Sequence, residues 1–256
     1  MEDALSMFSL EGKVSIVTGG ATGMGQAFAD LLSKLGSDIV ITSHRNKGVD
    51  TKEIVEKNGR EILVVDGVDI CNPDDRKRVI DQTLENFGKI DVLVNNAGII
   101  KRAPVLEHSN EDWQEVIDTN ISSVFYLSKD VANIMSENGG GKIINIASML
   151  SYQGGKFVPG YTSSKHAIVG LTKSFCNELS IKNIQVNAVA PGYVKTNNTK
   201  PILENEARYE EITSRIPIGK WAEPSDIAGA VAFLASSASD YINGATIPVD
   251  GGWLSN

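Results

Sequence analysis

Short apolar runs, each closed by a polar or glycine-containing turn, recur along the chain. Val14–Thr18, Asp38–Thr42, Ile62–Val65, Val92–Asn95, Lys142–Ile146, Ile184–Val189 and Thr246–Val249 are brief, continuous and rich in Val and Ile. Runs of that length and composition predict buried strands. Between them the apolar positions return with a helical period. Helices are predicted over Gln26–Leu35, Asp50–Asn58, Asn72–Phe87, Ser109–Ser136, Tyr161–Leu179, Pro201–Ser214 and Pro224–Ser236. Gly36 stops the first of these. Asn72-Pro73-Asp74-Asp75 opens the third with a cap, a proline at the first helical position and acids in the first turn. Pro201–Ser214 is polar and reads as a lid. Asn120 sits inside the long fourth helix, where its side chain competes for backbone groups. That position is either an exposed polar site or a deliberate distortion near a functional one.

Strict alternation of strand and helix predicts an α/β protein: a Rossmann-type, doubly wound parallel sheet covered by helices on both faces. No repeat, low-complexity tract or linker divides the sequence, so one domain is expected over residues 1–256. At 41% hydrophobic residues the chain can bury a sizeable core.

Charge removes some classes of function. Acidic residues outnumber basic ones, 32 to 24, for a net charge of −8 and a pI near 5.0. No basic stripe is present, which argues against a nucleic-acid partner. No apolar run approaches the roughly 18 residues of a membrane span, and the N-terminal residues lack the basic and apolar regions of a signal peptide. A cytoplasmic protein is expected. Cys71 and Cys176 are far apart and read as free thiols. His44, His108 and His166 are scattered, with no metal-ligand spacing, and no metal is expected.

In a parallel sheet, ligands bind beyond the carboxyl ends of the strands. Gly19–Gly25, Ser43–Arg45, Asp69, Asn95–Gly98, Ser148 and Pro191–Thr196 all follow strands and should share one edge. Gly19-Gly20-Ala21-Thr22-Gly23-Met24-Gly25 lies between a strand and a helix, the arrangement of a phosphate cradle. Its spacing is Gly-x-x-x-Gly-x-Gly and not Gly-x-Gly-x-x-Gly. No acidic residue closes the second strand to bind ribose hydroxyls. Arg45, with Ser43 and His44, could instead accommodate a 2′-phosphate, or could be a solvated cation. Tyr161 and Lys165 are four apart and share a helix face. A lysine cation beside the phenol would lower its pKa and let it give or take a proton at working pH. Ser148, arriving from a strand end, could bind the oxygen on which charge develops.

Thr18-Gly-x-x-x-Gly-x-Gly25, Asn95-Asn-Ala-Gly98, Asn120, Ser148, Tyr161-x-x-x-Lys165 and Pro191-Gly192 occur in this order. Together they resemble the short-chain dehydrogenase/reductase family over nearly the whole chain. The resemblance implies an NAD(P)-dependent alcohol dehydrogenase or ketone reductase. Tyr161 would be the acid or base, Lys165 its partner and a ribose ligand, Ser148 the carbonyl holder and Asn120 the support of a water path. Thr18, Gly19, Gly23, Met24 and Gly25 would surround the pyrophosphate, Asp69 would lie at the adenine, and Asn95, Ala97 and Gly98 would line the cofactor. Pro191, Gly192, Val194 and Thr196 would hold the nicotinamide end.

Further stretches, among them Lys142–Gly155, Thr196–Thr199 and Ala235–Gly244, resemble family members that act on keto sugar acids in uronate breakdown. Members acting on gluconate match more loosely. For such a substrate Arg102 is the first candidate carboxylate ligand, with Lys101, Gln153, Asn197 and Asn198 beside it. That resemblance leans to NAD(H), Arg45 leans to NADP(H), and it implies a homotetramer. Two other readings stand: a reductase acting on acyl groups of an acidic carrier protein, and a dinucleotide-binding sensor or scaffold without catalysis.

Overall fold

The computed structural model describes residues 5–255. Seven strands are present: β1 (Val14–Val17), β2 (Asp38–Thr42), β3 (Ile62–Val65), β4 (Val92–Asn95), β5 (Gly141–Ile146), β6 (Ile184–Pro191) and β7 (Thr246–Val249). They form one sheet in the order β3-β2-β1-β4-β5-β6-β7, and every pairing is parallel. The chain builds outward from β1 to β3, then returns to place β4 on the other side of β1. The strand order therefore reverses between β1 and β4, which is where a doubly wound sheet opens its crevice.

The helices are α1 (Gly23–Lys34), α2 (Val49–Lys57), α3 (Pro73–Phe87), α4 (Asn110–Ile117), α5 (Ser123–Glu137), α6 (Pro159–Leu179), α7 (Lys200–Leu203), α8 (Glu206–Thr213) and α9 (Pro224–Ala235). Local chemistry sets their starts. The Asn72 side chain accepts from Asp74 N at 2.8 Å ahead of Pro73, and Ser109 accepts from Asp112 N at 3.0 Å.

Alternate residues of each strand serve opposite faces. Ile39, Ile41, Ile144 and Ile146 pack with Phe28 and Leu32 of α1 and with Ile227 and Val231 of α9. Val40, Leu93 and Ile143 pack with Val79 of α3 and with Leu127, Val131 and Met135 of α5. A strand buried on both faces must read as a continuous apolar run, which is why these strands were legible.

Two expectations need adjustment. The long fourth helix is interrupted by a π turn over Asp118–Ser122, in which Ser123 N reaches back five residues to Asp118 O. Pro201–Ser214 divides into α7 and α8, and α8 does not hang free. Ile212 is buried with Trp221 and Trp253, and Trp221 Nε1 donates to Thr213 Oγ1 at 2.9 Å. Among the described residues no helix is long and apolar enough to cross a membrane.

Candidate active site

The turn after β1 has to pass close to both β4 and α1. Gly19 and Gly23 have φ of +63° and +58°, and a Cβ on Gly25 would stand 2.3 Å from the Gly19 carbonyl oxygen. No other residue type permits that approach. Asn96 locks the turn from β4, its Nδ2 donating to Thr18 O at 2.9 Å and Gly19 O at 3.2 Å. Thr18 Oγ1 in turn accepts from Asn96 N and Ala97 N, both at 3.0 Å. α1 then begins without a side-chain cap from Thr22, so its first N–H groups remain for an anion. A cavity runs over this turn, walled by Gly23, Met24, Arg45, Ala97 and Thr196 among others. A glycine cradle that admits backbone alone, an uncapped helix start and a cation at Arg45 fit a dinucleotide.

A second cavity adjoins it and shares Met24, Gly98, Thr196 and Asn198. It encloses about 340 Å³, at the small end of the roughly 300–1,000 Å³ usual for ligand pockets. Ser148, Tyr161 and Lys165 all face it. Ser148 lies two residues past β5 and opens a short turn, its Oγ accepting from Leu150 N at 3.1 Å and its N donating to Ser151 Oγ at 3.3 Å. Ser151 Oγ donates onward to Lys165 O at 2.6 Å, fastening this turn to α6.

Lys165 is buried and its Nζ donates to Ile146 O at 2.6 Å, lying 5.5 Å from the Tyr161 ring centroid. Burial holds its pKa down at about 8. Burial also pushes the Tyr161 phenol up, while a hydrogen bond from Ser148 and the charge of Arg102 pull it back. The charge of Arg102 acts on the phenol, while the Lys165 ammonium is turned to the Ile146 carbonyl and lies beside the Tyr161 ring.

Asn120 occupies the π turn and is buried. Its Oδ1 accepts from Ile99 N at 2.9 Å, and its Nδ2 donates to Ile99 O at 2.9 Å and Ser164 Oγ at 3.1 Å. The side chain imitates a strand neighbour for the loop after β4 and joins that loop to α6. This is the distortion near a site, and the exposed alternative is gone.

Other named residues divide clearly. Gly98, Arg102, Gln153, Pro191, Gly192, Val194, Thr196 and Asn198 wall the second cavity. Gly19, Gly25, Ala97 and Asn197 wall the first. Asn95 faces away: it is buried, and its Nδ2 donates to Ser128 Oγ and Asn145 Oδ1, both at 2.8 Å. The neighbouring Asn96 does the work at the cleft. Thr18 acts on the cleft only through its bonds to Asn96 and Ala97. Ser43 is buried, its hydroxyl donating to Asp66 Oδ1 at 2.8 Å. Asp69 lies outside both cavities and its Oδ1 accepts from Cys71 N at 2.9 Å. Lys101 is drawn off to Asp112 and Glu115 of α4, at 3.2 and 2.7 Å.

Sequence reasoning missed four charged residues of the cavity wall, Lys156, Arg208, Glu211 and Arg215. A signal existed. Arg208 and Glu211 are three apart and so share one face of a segment read only as polar, while Arg215 lies just past its end.

Comparison with known proteins agrees with this geometry. A family model described as enoyl-(acyl carrier protein) reductase, of the short-chain dehydrogenase type, matches residues 19–254. The chain belongs to the short-chain dehydrogenase/reductase family, nicotinamide-dependent oxidoreductases. It is 50% identical over 248 residues to a 2-dehydro-3-deoxy-D-gluconate 5-dehydrogenase of Bacillus subtilis (strain 168), covering 97% of each chain. It is 50% identical over 251 residues to the enzyme of the same name from Escherichia coli (strain K12), covering 98% of each. Among solved structures, an Agrobacterium tumefaciens protein described as a 2-deoxy-D-gluconate 3-dehydrogenase with bound NADP superimposes with a TM-score of 0.91. The identity is 44%, over 98% of this chain and 99% of that one.

Proposed function

We propose that the protein interconverts a ketone and a secondary alcohol on a small sugar acid, as the name 2-dehydro-3-deoxy-D-gluconate 5-dehydrogenase describes for its relatives. One observation carries this reading: a single cavity holds Ser148, Tyr161 and Lys165 together with the arginines Arg102, Arg208 and Arg215. The first three suit carbonyl chemistry, and the arginines suit a small carboxylate.

Bound nicotinamide supplies or accepts the hydride at the carbonyl carbon. In reduction, Tyr161 Oη gives its proton to the carbonyl oxygen, and in oxidation it takes the proton back. Ser148 donates to the same oxygen and holds it against the phenol. Arg102 favours the phenolate that reduction leaves behind. Lys165, fixed by the Ile146 carbonyl, positions the ribose side of the dinucleotide. Asn120 holds the loop after β4 against α6, so the nicotinamide pocket keeps its shape.

NAD(H) and NADP(H) both fit the cradle. Arg45 is the residue placed to meet a 2′-phosphate. We further propose a cytoplasmic homotetramer. Half-exposed aromatics on α4 and α5, Trp113, Phe125 and Tyr126, form the apolar face that supports it.

The direct test mixes purified protein with the diketo acid derived from a 4-deoxy-5-ketouronate and follows loss of NADH, then NADPH, by absorbance. Turnover is expected, and Tyr161→Phe should reduce it about 10²–10⁴-fold. Turnover on gluconate or on an acyl thioester instead would keep the chemistry and replace the substrate. Dinucleotide binding with no carbonyl turnover would leave the sensor reading.

A further inference from the structure

The arginines of the catalytic cavity fall into two groups. Arg102 serves the reacting end: its charge acts on the Tyr161 phenol and its Nη2 donates to Asn198 O at 2.8 Å. Arg208, Glu211 and Arg215 form the other group, and their charges act on the Tyr193 phenol. Arg208 Nη1 meets Glu211 Oε2 at 2.6 Å. Arg215 lies over the Trp253 ring, 4.3 Å from its centroid, and Trp253 is pinned by its Nε1 donating to Gln153 Oε1 at 2.8 Å.

We propose that Arg208 and Arg215 are the seat of the substrate carboxylate, and that Glu211 occupies Arg208 until that carboxylate displaces it. This rests on the sugar-acid reading above. An open-chain keto acid holds its ketone and carboxylate at opposite ends of the carbon chain. With the ketone at Ser148 and Tyr161, the carboxylate needs a cationic site away from Arg102, and Arg208 of α8 with Arg215 just beyond that helix provides one. The Arg208–Glu211 pair is three residues apart on one helix, with both side chains about half exposed. Such pairs are weak, so an entering carboxylate that takes the planar guanidinium in two-point contact replaces Glu211 readily. Each guanidinium is already oriented, one by Glu211 and one by the Trp253 face, so little ordering remains for binding. An uncharged ligand of the same shape cannot make this exchange, which turns the ion pair into a filter for acids.

The experiment compares a 5-keto sugar acid with its C1 primary amide in the wild-type protein, Arg208→Met and Glu211→Gln. Arg208→Met should lower kcat/KM for the acid by about 30-fold, chiefly through KM, while the amide loses less than about threefold. Glu211→Gln should lower KM for the acid about threefold and leave the preference for acid over amide larger. Equal losses on acid and amide in Arg208→Met overturn the seat. A weaker acid KM in Glu211→Gln overturns the exchange. A dinucleotide titration of each variant confirms that it is folded. If the wild-type protein turns over no keto sugar acid, the functional reading fails and the seat with it. If it turns over the acid and Arg208→Met does so equally well, the seat alone fails.

Discussion

Lys165 shows how function can hold a residue against stability. Its ammonium is buried against a single carbonyl, and its pKa stands at about 8, below the ordinary 10.5. A lysine whose folded pKa is depressed costs the fold most where both states are protonated, below pH 8. The cost fades as pH rises from about 8 toward 10.5, because the unfolded chain then holds the extra proton. A shift of this size corresponds to roughly 3 kcal/mol. Lys165→Met should therefore abolish turnover yet raise the melting temperature at pH 7 by several degrees. The gain falls short of the full 3 kcal/mol, since the Ile146 carbonyl loses its partner, which costs about 1 kcal/mol or more. Melts at pH 7 and pH 10 check this. A variant no more stable than wild type at pH 7, or one whose advantage does not shrink at pH 10, would show that the buried charge is not the cost inferred.

Among the elements, the π turn at Asp118–Ser122 is the one whose distortion is put to use. A regular helix would carry Asn120 past the loop after β4. The widened turn lets it bond both backbone groups of Ile99 and the Ser164 hydroxyl. Asn120→Ala should lower stability by about 1–3 kcal/mol, since it leaves the half-buried N–H and C=O of Ile99 without their partner. It should also weaken dinucleotide affinity about tenfold, since the loop walls the cofactor side. Loss of stability with unchanged affinity would make Asn120 a packing residue only. Much of this scale was legible in the sequence. β2 and β4 fall where the apolar runs end, because strands buried on both faces leave no ambiguity of period; the edge strands β3 and β7 also match their runs, though they are only partly buried. The Asn120 anomaly was visible as well, as an amide in a helix interior. Asn95 misled for a physical reason: adjacent strand residues face opposite sides, and sequence alone does not say which of Asn95 and Asn96 meets the cleft. Arg208 was missed because a polar helix face looks the same whether it meets solvent or substrate, and Arg215 because it lies just past the end of that helix.

At the scale of the whole molecule, the proposed tetramer would form across the surface over α4, α5 and α6. Trp113, Phe125 and Tyr126 are each about two-fifths exposed, and the Phe125 ring meets that of Phe175 of α6 at a tilt, 5.7 Å between centroids. The touching rings of Phe125, Tyr126 and Phe175 form an apolar patch of the kind that marks an interaction surface. Each copy carries −8, so charge opposes association and the apolar face must drive it. Added salt should then strengthen assembly by screening the repulsion. Phe125→Glu places a carboxylate in the middle of this face and should give a smaller particle by light scattering, against four times 27.5 kDa for the wild-type chain. The catalytic helix α6 supplies Phe175 to the same surface, so loss of assembly should reach the site: turnover falls, while the variant still melts cooperatively. A wild-type particle of one chain, or a Phe125→Glu particle of unchanged mass, would remove this face as the contact and return its aromatics to the role of ordinary surface packing.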